Sequence, residues 1–196
     1  MKAVILLLLV ALGSMGASAQ HNSFMASYPV SFPMGDLHSY INKPGFRGIS
    51  FEFNKAISHE TYAGLEVGWN VFYQHVTKQE YKDGTASVAG VQYRYINAFP
   101  IIVGGKYYMH TGSKAAYPYA GIGAGTVYVE RATNFGLYQI YKDAWQFCMR
   151  PELGLDLQFS HHESLFFAAK YFWNFNTSSL DGQSWLSLNM GVRVAM

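Results

Sequence analysis

The chain has 196 residues, of which 50% are hydrophobic, 17% are aromatic and 13% are charged, and its formal net charge is +2 at pH 7. This near balance of charge, without a basic patch, argues against a nucleic-acid partner. The single cysteine, Cys148, excludes an internal disulfide framework. Soluble domains carry roughly 25% charged residues, so the charge content is about half the usual value.

Residues 1–19, MKAVILLLLVALGSMGASA, have the pattern of a secretory signal peptide. Lys2 gives a basic start, an apolar run follows, and Ala17, Ser18 and Ala19 form a small-residue end. The alternative is an N-terminal membrane anchor, which the length disfavours because a spanning helix needs about 20 apolar residues. We therefore expect cleavage before Gln20 and a single mature domain over residues 20–196.

Most of the mature chain alternates between apolar and polar residues. In WQFCMRPELGLDLQF, residues 145–159, Trp145, Phe147 and Met149 alternate with residues such as Arg150 and Glu152. Successive side chains of a strand point to opposite faces, so this pattern predicts a strand with one apolar and one polar face. The same reasoning predicts eight strands over residues 22–33, 46–57, 61–75, 86–109, 117–131, 144–159, 165–176 and 184–196.

The fourth strand contains Pro100 and could be divided into two. Its alternation does not reset at that residue, and a ninth strand would break the even number of bacterial outer-membrane barrels. We therefore predict one long strand with a bulge or irregularity at Pro100. Two residues depart from the pattern: Phe72 lies on the polar face of its strand, and Asn97 lies on an apolar face.

A soluble β-sandwich also alternates, but charge and aromatic content separate the two folds. The polar faces carry charges in almost every strand, while the apolar faces form a continuous aromatic band. In a membrane barrel the apolar face meets lipid and the polar face lines the lumen, and only a closed sheet satisfies its backbone in hydrocarbon. The sequence thus predicts an all-β fold, a closed eight-stranded antiparallel up-and-down transmembrane β-barrel.

The connections between predicted strands alternate in length, and this gives the orientation. Residues 58–60, 110–116 and 160–164 form the shorter set, expected as periplasmic turns, and residues 34–45, 76–85, 132–143 and 177–183 form the longer set, expected as outer loops. On the inward face we predict a lumen charge network of Glu52, Glu66, Arg94, Lys106, Arg150, Glu152, Asp156, Lys170 and Arg193, with Arg131 near the rim. At the membrane boundaries we predict interfacial aromatics at Tyr73, Trp145, Trp173, Tyr107 and Phe159.

Two segments carry a family resemblance. KYYMHTGSKAAYPYAGIGAG, which ends in the PYAGIGAG of residues 118–125, is similar to a strand, turn and strand of OmpW-like barrels. LNMGVRVAM resembles their closing strand, although it ends in Met196 and not in an aromatic residue. The chain thus resembles small OmpA/OmpX/OmpW-like outer-membrane barrels. This resemblance implies an outer-membrane location and assembly by the barrel-assembly machinery, and it supplies no catalytic motif.

Few residues have the arrangement of a catalytic or metal site. His38 and Ser39 near Asp36, His75, and the turn formed by His161, His162, Glu163 and Ser164 are the candidates, and ordinary loop or turn roles explain each of them better. We expect no enzyme activity, cofactor or metal. The predicted protein is a porin-like monomer of the cell envelope that contacts outer-membrane lipids and lipopolysaccharide, with a structural or surface-contact role through its outer loops. The alternatives are an OmpW-like passage for small, partly hydrophobic solutes and a lipid-modifying enzyme.

Overall fold

The computed structural model describes residues 22–83, 86–109, 115–135, 138–160 and 162–196, without the side chains of residues 78–83 and 86–90. The predicted signal peptide, residues 1–19, lies outside the described residues, as does His161.

Eight strands and one short helix make up the fold. In chain order they are β1 (Asn22–Pro33), α1 (Gly35–Tyr40), β2 (Arg47–Ala56), β3 (Thr61–Asp83), β4 (Ala86–Tyr108), β5 (Ala116–Phe135), β6 (Tyr138–Gln158), β7 (Glu163–Asn174) and β8 (Trp185–Ala195). Each strand pairs with the next in antiparallel register, and β1 pairs with β8, so the sheet closes into a barrel. The predicted fold class is therefore confirmed.

The alternation of the sequence becomes an alternation of burial. Along β7, Phe166, Ala168 and Lys170 are buried in the lumen, whereas Leu165 and Phe167 are exposed on the outside. An exposed band of large apolar side chains encircles the molecule, as expected for a surface that meets lipid. Among the described residues, no helix is long and apolar enough to span a membrane.

Pro100 lies inside an unbroken strand. The register of β3 and β4 is the same below it, where Val67 pairs with Ile101, and above it, where Asn70 pairs with Ala98. The prediction of one long strand is confirmed. Of the predicted bulge or irregularity at Pro100, the bulge is wrong, because the register shifts between Val76 and Gln79 instead; the irregularity is a gap in the β3–β4 pairing at residues 68–69 and 99–100. Gly68 faces Pro100 and leaves room for its ring, since a Cβ at Gly68 would lie 3.3 Å from the proline Cγ. The strand loses ladder hydrogen bonding there without losing register.

Four strands extend well beyond their neighbours at the end of the barrel that carries residues 34–46 and 175–184. We call this end the outer end and the opposite end the periplasmic end, following the orientation predicted from the connection lengths. β3 to β6 have 20 to 23 residues, while β1, β2, β7 and β8 have 10 to 12. A tilted strand crosses a bilayer in about 9–11 residues, so the long strands continue above the membrane. We call residues 72–83, 86–97, 130–135 and 138–147 the raised sheet. The predicted outer loops at 76–85 and 132–143 are wrong, because most of both segments is strand.

Candidate functional site

Six charged side chains form a compact cluster across the middle of the lumen. Three acids (Glu52, Glu66 and Glu152) and three bases (Lys106, Arg150 and Lys170) come from β2, β3, β4, β6 and β7, and each side chain is at most 4% exposed. We call these six residues the central cluster. Its formal charge sums to zero, as expected for ionised groups that are removed from water.

Each base of the central cluster is shared between acids. Lys106 Nζ lies 2.5 Å from Glu52 and 3.4 Å from Glu152. Lys170 Nζ lies 2.9 Å from Glu66 and 3.2 Å from Glu52. Arg150 pairs with Glu66 and lies 3.1 Å from Glu152. Removal of one member therefore disturbs several ion pairs at once.

The other three charges predicted for this network lie elsewhere in the lumen. Arg193 and Asp156 form a separate pair, 2.7 Å apart, at the periplasmic end, where the Arg193 guanidinium also lies over the rings of Tyr62 and Tyr108. These residues border a cavity of about 250 Å³ that opens at the periplasmic end. Arg94 lies near the outer end of the lumen, where it donates a 2.8 Å hydrogen bond to the Tyr40 carbonyl oxygen.

Above the central cluster an apolar layer fills much of the lumen, which the sequence reasoning did not foresee; Ser31 and Asn70 are buried at the same level and are hydrogen-bonded to each other. Phe72 and Trp185 pack edge to face with ring centroids 5.9 Å apart, and Phe172 stacks on Trp185 at 4.6 Å. The layer is completed by the buried side chains of Ile96, Ala98, Ile102, Val127, Val129, Ala144 and Cys148. The sequence contained one signal of this layer, because Phe72 is an apolar residue on the otherwise polar face of its strand. The even-numbered residues from Ile96 to Ile102 were a second signal, because they make both faces of β4 apolar.

The first outer loop, residues 34–46, folds inward over this apolar layer. Its helix α1 buries Leu37 and Tyr40, and the next residue, Ile41, is also buried. The Tyr40 ring lies between two guanidinium groups, 3.5 Å from Arg131 and 5.0 Å from Arg94. Cation–π contacts of this kind, together with hydrogen bonds of the Tyr40 hydroxyl to Thr133 and Ala132, fix the loop to β4 and β5.

The fourth outer loop, residues 175–184, closes the rest of the outer mouth. Gln146 of β6 donates hydrogen bonds to the carbonyl oxygens of Leu180 (3.3 Å) and Asp181 (2.7 Å), and it accepts one from the Gln183 backbone N–H (3.1 Å). The loops are also joined to each other, since Met34 N–H donates to the Ser184 carbonyl oxygen. In the described part of the lumen, the central cluster and the apolar layer thus follow one another, and two tethered loops lie over the outer mouth.

The predicted interfacial aromatics all lie on the outside of the barrel. Tyr73, Trp145, Trp173, Tyr107 and Phe159 are between 40% and 61% exposed. Four aromatic rings form a continuous row across β3 to β6, and we call this row the outer girdle. Its members are Trp69, Phe99, Tyr128 and Trp145, and the centroids of successive rings lie 6.1, 6.4 and 5.1 Å apart. On β4, β5 and β6 the next outward-facing residues above the outer girdle are polar: Asn97, Glu130 and Asp143. This change marks the edge of the apolar band.

The described candidate catalytic residues do not lie in the arrangement of a catalytic site. His38 and Ser39 are exposed on α1 with Asp36, and the His75 ring contacts that of Tyr93, with centroids 4.9 Å apart and an interplanar angle of 31°. His162 and Glu163 border the cavity at the periplasmic end, next to Ser164. Within the described ranges, no group of three or more His, Cys, Asp or Glu side chains could hold a metal ion.

Comparison with solved structures finds the same fold in bacterial surface proteins. Neisserial surface protein A superposes with a TM-score of 0.58 at 14% identity, over 92% of this chain and 99% of that one. Ail, the attachment invasion locus protein of Yersinia pestis, superposes with a TM-score of 0.55 at 10% identity, over 90% of this chain and 98% of that one. Ail has also been solved in complex with the heparin analogue sucrose octasulfate. No family model and no curated protein matches the sequence. At these identities the likeness concerns the fold, which is that of the small eight-stranded outer-membrane barrels.

Proposed function

We propose that the protein is a non-enzymatic barrel of the bacterial outer membrane, with a closed lumen, that acts at the cell surface through its raised sheet. The observation that carries this proposal is the packing of the lumen from the middle of the barrel to its outer mouth. A zero-charge ion-pair cluster, an apolar layer and two tethered loops follow one another there. Such packing contributes stability, and it supports a lumen without a continuous aqueous path.

The raised sheet supports a surface role. Its four strands extend beyond the last β2–β3 pair, Arg47 with Val71, and beyond the last β6–β7 pair, Cys148 with Asn174. Side chains on a strand scaffold are held more rigidly than those on free loops, so this region offers a defined contact surface above the membrane. In this proposal the barrel is a monomer that spans the outer membrane after export and assembly.

The charge of the outer surface argues against a polyanion of the kind bound by Ail. Lys43 and Arg47 are exposed near the outer mouth, but Asp36 and Asp143 are exposed there as well. The basic Arg131 is engaged with the ring of Tyr40. A surface of mixed charge does not favour binding of a densely sulfated ligand.

The two alternatives receive less support. A passage for small, partly hydrophobic solutes requires a gap in the lumen or a lateral opening, whereas β1 and β8 pair continuously from Ser23 with Ala195 to Pro33 with Trp185. A lipid-modifying enzyme requires a nucleophile that is hydrogen-bonded to a base. His75 lies near the outer interface, and its ring instead contacts the ring of Tyr93.

Single-channel recording in planar bilayers tests the closed lumen. We expect the refolded wild-type protein to give no steady conductance, and a Lys106→Gln variant to behave in the same way. Insertion is verified separately by the change in gel mobility on heating. A steady current whose ion selectivity changes with Lys106→Gln would pass through the lumen, and it would replace this proposal with the passage function.

A further inference from the structure

We propose that the outward face of the raised sheet binds the saccharide headgroups of lipopolysaccharide in the surrounding outer leaflet. This inference rests on the proposed outer-membrane location, and it assigns a partner class to one face of the raised sheet. The surface, which we call the lateral panel, lies directly above the outer girdle and consists of Asn97, Glu130, Asp143, Tyr73, Tyr95, Ala132, Tyr141, His75, Tyr93, Asn134 and Gln139.

The strand register orders the lateral panel into three rows. In the lowest row, Asn97 pairs with Glu130, and Glu130 with Asp143. The middle row runs from Tyr73 through Tyr95 and Ala132 to Tyr141, and the top row from His75 through Tyr93 and Asn134 to Gln139. Successive rows are separated by two residues, so on a tilted strand each row lies about 5 Å above the one below.

The position of the three rows relative to the membrane indicates which partner they contact. The outer girdle marks the edge of the hydrocarbon, because aromatic side chains favour that boundary. The three rows above it face sideways, in continuity with the lipid-facing band, at the depth of the headgroups of neighbouring lipids. In the outer leaflet of a bacterial outer membrane those headgroups are sugars, so the panel meets glycolipid in preference to a soluble partner that approaches from above.

The aromatic side chains are suited to sugar rings. The ring centroids of Tyr73 and Tyr95 lie 4.9 Å apart at an interplanar angle of 37°, and those of His75 and Tyr93 lie 4.9 Å apart at 31°. These pairs belong to the middle and top rows, above the outer girdle. Ala132 lies between Tyr95 and Tyr141, on strands whose backbones are two strand spacings, or about 10 Å, apart. A pyranose ring can lie over this small side chain, beside the ring of Tyr141, which is itself hydrogen-bonded to Tyr128 and Glu130. Tyrosine provides an apolar face for the C–H groups of the sugar and a hydroxyl for its polar edge.

The acids of the lowest row indicate which part of the glycolipid is contacted. Glu130 and Asp143 lie directly opposite each other, an arrangement that is unfavourable for like charges unless donors surround them. Each has a donor: Asn97 Nδ2 lies 3.4 Å from Glu130, and the Tyr128 hydroxyl donates to Asp143 at 3.1 Å. Carboxylates repel phosphate and accept strong hydrogen bonds from hydroxyl groups. Charge complementarity therefore favours neutral sugar over the phosphates.

Nanodiscs of phosphatidylglycerol that contain a small fraction of labelled lipopolysaccharide provide the test. We expect the captured wild-type protein to retain lipopolysaccharide above its mole fraction in the membrane. A Tyr93→Ala/Tyr141→Ala variant should lower this enrichment roughly tenfold, since two ring contacts are lost. The matched control is Tyr107→Ala/Phe159→Ala, which removes two exposed outward rings at the periplasmic end and should leave the enrichment unchanged.

Three results would overturn the inference, and each points to a different cause. Equal enrichment in wild type and the Tyr93→Ala/Tyr141→Ala variant would exclude ring stacking. Loss of wild-type enrichment with EDTA would indicate that metal ions bridge phosphates to Glu130 and Asp143. Equal retention of phosphatidylglycerol and lipopolysaccharide would exclude sugar recognition. Heat-dependent gel mobility in the same nanodiscs reports barrel insertion, so failure of the outer-membrane proposal is seen separately.

Discussion

At the scale of single residues, the central cluster shows why charge can be buried in this barrel. Glu152 lies within 4 Å of Lys106, Arg150 and Lys170, and its side chain is fully buried. Several kcal/mol would be needed to remove an isolated carboxylate from water, so its ionisation depends on these three partners. Gly121 opposite makes this possible, because a Cβ there would lie 2.7 Å from a Glu152 oxygen.

Glu152→Gln should therefore destabilise the barrel. The substitution keeps the shape of the side chain but leaves three buried bases with two acids, and breaking a buried pair in this way costs about 3–5 kcal/mol. The free energy of unfolding can be measured in urea by the loss of the fast-migrating folded band. The double variant Glu152→Gln/Lys106→Met restores equal charge and should recover part of the loss. An unchanged or additive loss would contradict the shared ion pairs.

From the sequence, the odd or even position of a residue along its strand predicts the face on which its side chain lies. In the structure the nine charged side chains of the predicted lumen network lie on the inward faces of their strands. The odd or even position of a residue does not determine its level along the barrel relative to residues on neighbouring strands, because that level depends on the strand register. Arg94 was therefore grouped with Lys106, although the structure places Arg94 beside Tyr40 and Lys106 beside Glu52.

At the scale of elements, the outer loops and the raised sheet depend on each other. Along their upper parts, β3 and β6 are each paired on one side only, with β4 and β5, and their other edges have no strand partner among the described residues. Open strand edges are prone to unwanted pairing. The fourth outer loop covers part of the β6 edge, where the Phe175 N–H donates to the Phe147 carbonyl oxygen. The first outer loop contacts the Gln74 side chain of β3, to which Asn42 N–H donates. The fourth outer loop thus lies over both the lumen and part of a sheet edge.

Gln146→Ala should release the fourth outer loop without unfolding the barrel. The substitution removes two donated hydrogen bonds and one accepted hydrogen bond from a fully buried side chain, which should cost about 1–3 kcal/mol. We expect faster amide hydrogen exchange in residues 178–184 and unchanged exchange in β7. Gln139→Ala, at an exposed position of the same strand, is the control. Unchanged exchange in the loop would show that Gln146 does not hold it.

The extent of the long strands could not be read from the composition of their upper parts. Residues 76–83, VTKQEYKD, are rich in charge and were assigned to a loop, yet they pair with β4 up to Asp83 with Ala86, beyond the register shift between Val76 and Gln79. Hydrophobic alternation ends where the membrane ends, while strand pairing continues above it. The helix α1 was missed for a related reason, because a six-residue element that is stabilised by burial of Leu37 and Tyr40 has little local signal.

At the scale of the whole molecule, closure of the ring determines whether the protein can enter a membrane. β8 joins β7 on one side and β1 on the other, so every spanning strand has two neighbours. In hydrocarbon an unpaired backbone group costs several kcal/mol, and an open sheet has two rows of such groups. The part of the raised sheet above the outer girdle, by contrast, lies outside the hydrocarbon and is not needed for closure.

The membrane-spanning ring and the raised sheet should therefore respond differently to deletion. A chain that lacks residues 185–196 exposes the edges of β1 and β7, and we expect it to remain unfolded or aggregated in lipid vesicles. A chain in which Val76 is joined to Gln92 by Asn-Gly loses the tip of the β3–β4 hairpin but keeps a favourable two-residue turn. We expect that chain to insert as the wild type does. Heat-dependent gel mobility and protease protection in vesicles measure both outcomes. Insertion of the first chain, or failure of the second, would contradict a barrel whose stability lies in the membrane-spanning ring.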